Sequence, residues 1–189
     1  TSEEAIGFLA AFSGNLTGSN HHTYFVPPVY DLLDPNGYFK QEEARISSLH
    51  ILLSSAQQNM EQLKEERKQR SIALQQCIFR QFRLRNARGE EKDIEQIFEE
   101  AARRNPPAGT GECAAPKLLQ YAYLHHMQPL AMAEFWWGNS PKGEIRHHGH
   151  YYPSCRHKCE PILGFMLQGL EVEPNPLLTS ISDPSLLET

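Results

Sequence analysis

The chain has 189 residues, a net charge of −5 and a hydrophobic content of 40%, which suits one globular domain or two small ones. No apolar run approaches the ~20 residues of a transmembrane helix, and the first residues lack the basic segment of a secretory signal. Four cysteines are too few for a disulfide scaffold, so we interpret them as cytosolic thiols or metal ligands. These features predict a cytoplasmic protein with no membrane partner.

The first 38 residues are predicted to form an N-terminal arm of extended segments that packs on a later unit. Pro27 and Pro28 lack the backbone N–H donors of a central strand, so the segment around them is an edge strand or a packing arm. A turn is predicted over residues 34–37, where Asp, Pro, Asn and Gly follow one another.

Residues 39–105 are predicted to form a long antiparallel helical hairpin. From about Gln41, apolar residues recur at alternating intervals of three and four, which is typical of a coiled coil or helical hairpin; these seam residues are Ile46, Leu49, Leu53, Ala56, Met60 and Leu63. Arg67 and Arg70 fall on the same seam, which indicates a bend or a patch that faces a polyanion or a carboxylate. Gly89 is the predicted cap between the first helix and a second over about 90–104.

Charge is divided sharply within this hairpin. Seven basic residues and no acid lie between Arg67 and Arg88, and the next eleven residues hold five acids against one lysine. A basic block of this kind can bind RNA phosphates; alternatively, it is a solvated face paired with the acidic helix that follows. Two downstream residues join the candidate RNA-binding set, which is Arg67, Arg70, Arg80, Arg83, Arg85, Arg88, Trp137 and Arg146.

Residues 106–170 are predicted to form a small mixed α/β unit that is rich in cysteine and histidine. Helices are expected over 113–124 and 159–170, with a buried strand over 129–136 and a loop rich in glycine and histidine over 138–151. The order of these elements predicts an α+β fold with the helical hairpin inserted. Residues 171–189 are predicted to be a linker to a further C-terminal domain.

Three of the four cysteines are predicted to lie at the starts of helices. Cys155 and Cys159 are four residues apart before the last helix, and Cys113 precedes an earlier one. Because helix N-termini lower thiol pKa values, we expect the three thiols to converge and to be able to hold zinc. A water or a histidine would complete the site, the candidates being His147, His148, His150 and His157. The alternative is a set of small buried thiols without metal.

Neighbouring helix N-termini that present thiolates are also the layout of zinc nucleobase deaminases. The match is partial, because the spacing here is Cys-x-x-x-Cys. Ala115 stands where the deaminase motif places its proton-shuttling glutamate. A deaminase-like domain, active or degenerate, is therefore an alternative interpretation.

The chain resembles the N-terminal region of a subgroup of RluA-type pseudouridine synthases. The segments that carry this resemblance are 12–14, 25–31, 66–71, 111–122, 133–138 and 152–163. The resemblance implies that catalysis belongs to a separate C-terminal domain with an Arg-Leu-Asp motif. This sequence contains no such motif, so no catalytic residue is assigned.

The resemblance thus predicts an accessory, RNA-engaging module of an enzyme that isomerises uridine in ribosomal or transfer RNA. Its partners would be that RNA and the catalytic domain of the same chain. Besides the deaminase-like reading, a non-enzymatic helical interaction module is the other alternative.

Overall fold

The computed structural model describes residues 7–55, 59–103, 105–141 and 143–173. Five helices and one two-stranded antiparallel sheet lie in these residues, which confirms the α+β class. In chain order they are α1 (Tyr38–Ser55), α2 (Met60–Gln81), β1 (Leu84–Arg85), β2 (Glu91–Lys92), α3 (Ile94–Glu100), α4 (Ala114–Leu124) and α5 (Cys159–Met166). The predicted linker lies outside the described residues beyond position 173. None of the described helices combines the length and hydrophobicity needed to cross a bilayer.

The helical hairpin consists of α1 and α2, so its turn is not at Gly89 as predicted. Asn59, just before α2, adopts a left-handed backbone conformation with φ 61°, which asparagine tolerates better than most residues. The predicted seam residue Ala56 lies outside the described residues. Ile46, Leu49 and Leu53 are half-buried, which fits a seam shared by α1 and α2.

Gly89 instead lies in a β-hairpin turn. Leu84 pairs with Lys92 and Arg85 pairs with Glu91, and Gly89 takes φ 84° in the connection. The backbone of Asn86 closes the turn, because its N–H donates to Glu90 O and its carbonyl accepts from Gly89 N. Alternating burial around β1 explains the strand: Leu84 is fully buried while the flanking arginines point outward.

Helix α3 begins at a capping box. The Asp93 carboxylate accepts from Gln96 N, and the Gln96 side chain accepts from Asp93 N. This reciprocal arrangement satisfies two of the free N–H groups at the helix start. Ile94, Ile97 and Phe98 are buried on one face, as the sequence predicts.

The hydrophobic core lies where the C-terminal end of α2 meets β1, α3, α4 and α5. Its buried members are Phe79, Phe82, Leu84, Ile94, Ile97, Phe98, Leu119, Tyr123, Ile162, Phe165 and Met166. Helix α1 contributes none of these residues, so the hairpin joins the core through α2. Helices α4 and α5 pack against each other, and their N-termini carry the cysteines.

The N-terminal arm packs on the start of α4. Buried Lys117 donates hydrogen bonds from its Nζ to Phe12 O at 2.8 Å and Gly14 O at 3.1 Å. Ser13 Oγ accepts from Ala114 N, and so serves a free N–H group in the first turn of α4. Burial lowers the pKa of Lys117, and its two carbonyl acceptors compensate for that burial.

Candidate metal centre and aromatic arm

Cys113 lies immediately before α4, in extended backbone conformation. Its sulfur makes no capping hydrogen bond to the helix, because Ser13 caps the start of α4 instead. The Cys113 thiol is therefore available to α5, which packs beside α4.

Cys155 lies against the first turn of α5. Its carbonyl accepts from Cys159 N at 3.2 Å and Glu160 N at 3.1 Å, and its sulfur accepts from Cys159 N at 3.3 Å. These bonds bring the Cys155 and Cys159 sulfurs to 3.4 Å from each other. The Cys-x-x-x-Cys spacing thus spans one helical turn and presents both thiols on the same side.

The three thiols converge, as predicted from their positions at helix starts. The sulfurs of Cys113, Cys155 and Cys159 all lie within 4.8 Å of one another. Two sulfurs bound to one zinc at ~2.3 Å are about 3.8 Å apart in a tetrahedral site. Small side-chain adjustments therefore suffice for the three to share an ion. Cys159 is buried, Cys113 is half-buried and Cys155 is exposed, so the cluster opens to solvent on one side.

The thiols differ in their electrostatic surroundings. A hydrogen bond from the Cys159 thiol is the main cause that lowers the pKa of Cys113; the Lys158 ammonium also lowers it, whereas burial and the Glu134 carboxylate oppose the shift. The same hydrogen bond and burial raise the pKa of Cys159. Of these two thiols, Cys113 is therefore the one that ionises more readily.

No described histidine joins the three thiols in a group of ligand atoms this close together. His148 Nδ1 accepts a hydrogen bond from Gly138 N, and the rings of His147 and His150 lie 5.2 Å apart on the same loop. His157 is exposed. The expected histidine ligand is therefore not found, because the loop that carries most of these residues folds on itself.

Residues 129–136 do not form the buried strand that the sequence predicts. They are mostly exposed, and residues 133–152 form a looped segment that we call the aromatic arm. Its two ends are held by a single β-bridge between Phe135 and Tyr151 and by backbone hydrogen bonds from Trp136 N to His150 O and from Tyr152 N to Glu134 O. The apolar residues whose composition predicts burial lie on a surface arm instead.

The aromatic arm has two unlike faces. On the inner face, the Arg146 guanidinium lies 5.7 Å from the Trp136 ring centroid and 4.6 Å from that of Tyr152. Arg146 also bonds both carboxylate oxygens of Glu144 at 2.9 Å. Because residues alternate between faces in extended backbone, Phe135 and Trp137 point to the opposite, outer face.

The aromatic arm is joined to the thiol cluster through one side-chain hydrogen bond. Ser154 Oγ donates to Glu134 Oε2 at 2.9 Å, and Ser154 directly precedes Cys155. Sequence reasoning missed this contact, since nothing in the local pattern relates residues twenty positions apart. The polar residues Ser154 and Arg156 on either side of Cys155 are the only signal that the sequence offers.

The basic residues of the 67–88 stretch mostly have acidic partners. The ion pairs are Arg70 with Glu42 and Glu66, Arg80 with Glu95, Arg83 with Asp93, and Arg85 with Glu91. Arg67 contacts His50 Nδ1 at 3.3 Å, and Arg88 is exposed beside the β-turn. These pairs favour the interpretation of the stretch as a charge-paired face. RNA binding by these arginines stays a prediction, and the charge-paired face is its alternative.

Comparisons of the chain with protein-family models, with curated proteins and with solved structures found no match. The resemblance to RluA-type pseudouridine synthases therefore rests on the motifs alone, and the site is interpreted from its own geometry.

Proposed function

We propose that this chain is an accessory, RNA-engaging module of a pseudouridine synthase, and that a zinc ion bound by Cys113, Cys155 and Cys159 holds it in shape. One observation carries the proposal. The three downstream segments that support the family resemblance, far apart in the sequence, meet at one place in the fold. The first and third supply the thiols, and the second supplies Glu134, which bonds Ser154 of the third.

Zinc is the metal that best suits this donor set. Thiolates are soft ligands that select zinc over hard cations such as magnesium or calcium, and protein thiolates commonly build structural zinc sites. When bound, the ion would link the N-termini of α4 and α5 and fix the adjoining end of the aromatic arm. Its role in this proposal is structural, and the chemistry of uridine isomerisation belongs to another domain.

The metal part is tested by the zinc content of the purified chain. We expect about one zinc per chain, and a loss of most of it in Cys113→Ser, Cys155→Ser and Cys159→Ser. Cys77→Ser is the matched control, because Cys77 is the fourth cysteine and lies half-buried in α2, outside the cluster. Chelation should lower the melting temperature of the wild type and of Cys77→Ser, since a structural metal contributes directly to folding stability. A metal-free protein whose melting is unaffected by the three substitutions would refute the zinc site.

The RNA part is tested by the salt dependence of binding to ribosomal and transfer RNA transcripts. Binding through phosphates weakens as salt rises, by about 0.7–0.9 in log–log slope per contact. A wild-type chain that binds neither RNA at low salt would contradict an RNA-engaging module.

A deaminase-like zinc enzyme is the second candidate, and Glu134 is the observation that favours it. Its carboxylate is close enough to Cys113 to influence the thiol electrostatically, so a proton-transferring acid stands beside the proposed metal. However, residues 129–136, which were expected to form the strand beneath α4 and α5, do not form a strand. Deamination of cytidine or adenosine that is abolished by Glu134→Gln would establish this candidate.

A further inference from the structure

The outer face of the aromatic arm presents three large rings to solvent. Phe135 is 53% exposed, Trp137 75% and Tyr151 74%. Soluble proteins rarely leave such clusters uncovered unless they bind something. The rings are held in place rather than loose, because the β-bridge pairs Phe135 with Tyr151 and the backbone of Trp136 bonds that of Gly149 and His150.

The three rings meet edge to face rather than face to face. The centroids of Phe135 and Trp137 are 6.3 Å apart and those of Phe135 and Tyr151 are 6.1 Å apart, in both cases edge to face. His148 covers only one side of Trp137, with a tilted contact at 4.4 Å. The rings therefore do not stack on one another, and each offers a surface on which a planar group can stack.

The surroundings of these rings favour a polyanion. The described residues of 133–141 and 143–158 include three Lys or Arg, two acids and four histidines, although the whole chain has a net charge of −5. The histidines of the arm, His147, His148 and His150, are exposed and offer N–H donors. Phosphates attract such cations and donors, whereas an acidic or purely aliphatic partner would leave either the rings or the donors unused.

We propose that Phe135, Trp137 and Tyr151 form a stacking platform for unpaired bases of single-stranded RNA. The proposal rests on the RNA-engaging function proposed above and names its contact surface. Base faces are hidden in a duplex but free in a single strand. Rings about 6 Å apart also exceed the 3.4 Å base rise of a stacked helix, so the bases must be splayed. A pocket of about 270 Å³, lined in part by Met132 and Tyr151, adjoins the platform.

The test uses the 189-residue chain and a 12-nucleotide oligouridylate. Trp136→Phe leaves Trp137 as the single tryptophan and keeps an aromatic ring beside Arg146. In this background, stacking should quench Trp137 fluorescence on binding of the oligouridylate, and an RNA hairpin with a fully paired stem should quench it much less. A DNA oligonucleotide of the same length reports whether the platform distinguishes the sugar.

Affinity is then compared among platform variants in the wild-type background. Trp137→Ala should weaken oligouridylate binding by about 5- to 150-fold, the range that loss of one stacked base produces. Tyr151→Ala should weaken it in the same direction. Tyr24→Ala is the control, because Tyr24 is 88% exposed but lies outside the platform, and its affinity should stay within twofold of the wild type. Unchanged melting temperatures would show that the variants are folded.

Each contrary result has a distinct meaning. If the wild type binds RNA and Trp137→Ala binds equally well, the platform is wrong while the RNA-engaging module stands. If the wild type binds no RNA, both proposals fail. If the platform variants instead change self-association or affinity for a separately produced catalytic domain, with RNA affinity unaltered, the rings are a protein-docking surface and the proposal is overturned.

Discussion

The hydroxyl of Tyr123 connects the two helices that carry the cysteines. Tyr123 is 9% exposed in α4, and its hydroxyl donates to Met166 O, the last residue of α5, at 2.9 Å. Tyr123→Phe would keep the ring in the core but leave that buried carbonyl without its donor. We expect it to lower the free energy of unfolding at pH 7 by about 1–3 kcal/mol, as measured by chemical denaturation.

The same substitution has a pH signature. Burial raises the pKa of Tyr123 above its usual value of 10.0, so the folded state keeps this proton more tightly than the unfolded state. The resulting stabilisation is fully present below pH 10 and is lost as pH rises through the folded-state pKa. The stability difference between wild type and Tyr123→Phe should thus be constant from pH 7 to 9 and shrink above pH 10. A difference that grows above pH 10 would contradict the burial argument.

Some single residues carry constraints that the sequence does not reveal. Gly111 has φ 96°, and a Cβ there would lie 2.7 Å from Phe82 Cδ1 and 2.8 Å from Ile94 Cδ1. A glycine is needed because Phe82, at the end of α2, and Ile94, in α3, lie directly against this position. Both residues are distant from Gly111 in the sequence. The cysteines were predictable for the opposite reason. Their placement at helix starts is a local signal, and the packing of α4 on α5 then brings them together.

At the scale of elements, the end of α1 at Ser55 and the start of α2 at Met60 have no local signal in the sequence. The sequence around 56–59, Ala-Gln-Gln-Asn, contains neither glycine nor proline, so propensity alone extends the helix through it. The arginines on the seam were informative, because they were expected to face a polyanion or a carboxylate. Arg70 does face one: Glu42, which is 5% exposed in α1, accepts from it at 3.4 Å.

The division of charge at Gly89 predicts pairing, and the structure has such pairs both between helices and across the β-hairpin. Arg80 of α2 bonds Glu95 of α3 at 2.7 Å, so a basic and an acidic helix do lie side by side. Arg85 and Glu91 pair across the β-hairpin, and Arg83 lies 3.8 Å from Asp93, the cap of α3. A pair of helices and a β-hairpin can both bring opposite charges together, so the charge pattern alone cannot distinguish these two structures. The alternation of Phe82, Arg83, Leu84 and Arg85 has the period of a strand and is the signal that could have done so.

We expect the arginines of these pairs to act mainly in folding. The triple variant Arg80→Gln, Arg83→Gln and Arg85→Gln should lower the melting temperature by a few degrees in low salt and less in high salt, because exposed ion pairs are screened. Its RNA affinity should keep the salt slope of the wild type. Lys68→Gln removes an exposed cation of the same stretch outside those pairs and serves as the control for melting. A slope reduced by about 0.7–0.9 for each arginine would instead show that they contact phosphates.

At the scale of the whole molecule, the α+β class followed from the sequence, whereas the role of residues 129–151 did not. Apolar composition in Leu130, Phe135 and Trp137 predicts burial, yet these side chains are at least half exposed. An apolar side chain is more stable out of water, but the sequence does not say whether the same chain or a partner covers it. The outward rings are thus the point where sequence and fold disagree most, and such disagreements are expected at functional surfaces.

Because the proposal assigns catalysis to a separate domain, it predicts that the 189-residue chain has no pseudouridine synthase activity by itself. The family resemblance places the catalytic aspartate in an Arg-Leu-Asp motif, which this sequence lacks. None of its aspartates can therefore be assigned to the reaction by motif. Buried Asp93 is already engaged as the cap of α3, and Asp31 is bonded to His21 and Asn20.

The assay measures the conversion of uridine in unmodified ribosomal and transfer RNA transcripts. Release of tritium from the uracil ring is its readout. The chain alone should match a no-enzyme blank, and a pseudouridine synthase with an intact Arg-Leu-Asp motif should score as the positive control. Turnover above the blank would mean that the residues described here contain a catalytic centre, and the accessory role would have to be abandoned. If the chain has no activity but raises the rate or RNA affinity of a catalytic domain supplied separately, its contribution is to bind the RNA. In that case the Trp137→Ala and triple-arginine variants show whether the stacking platform or the basic stretch contacts the RNA.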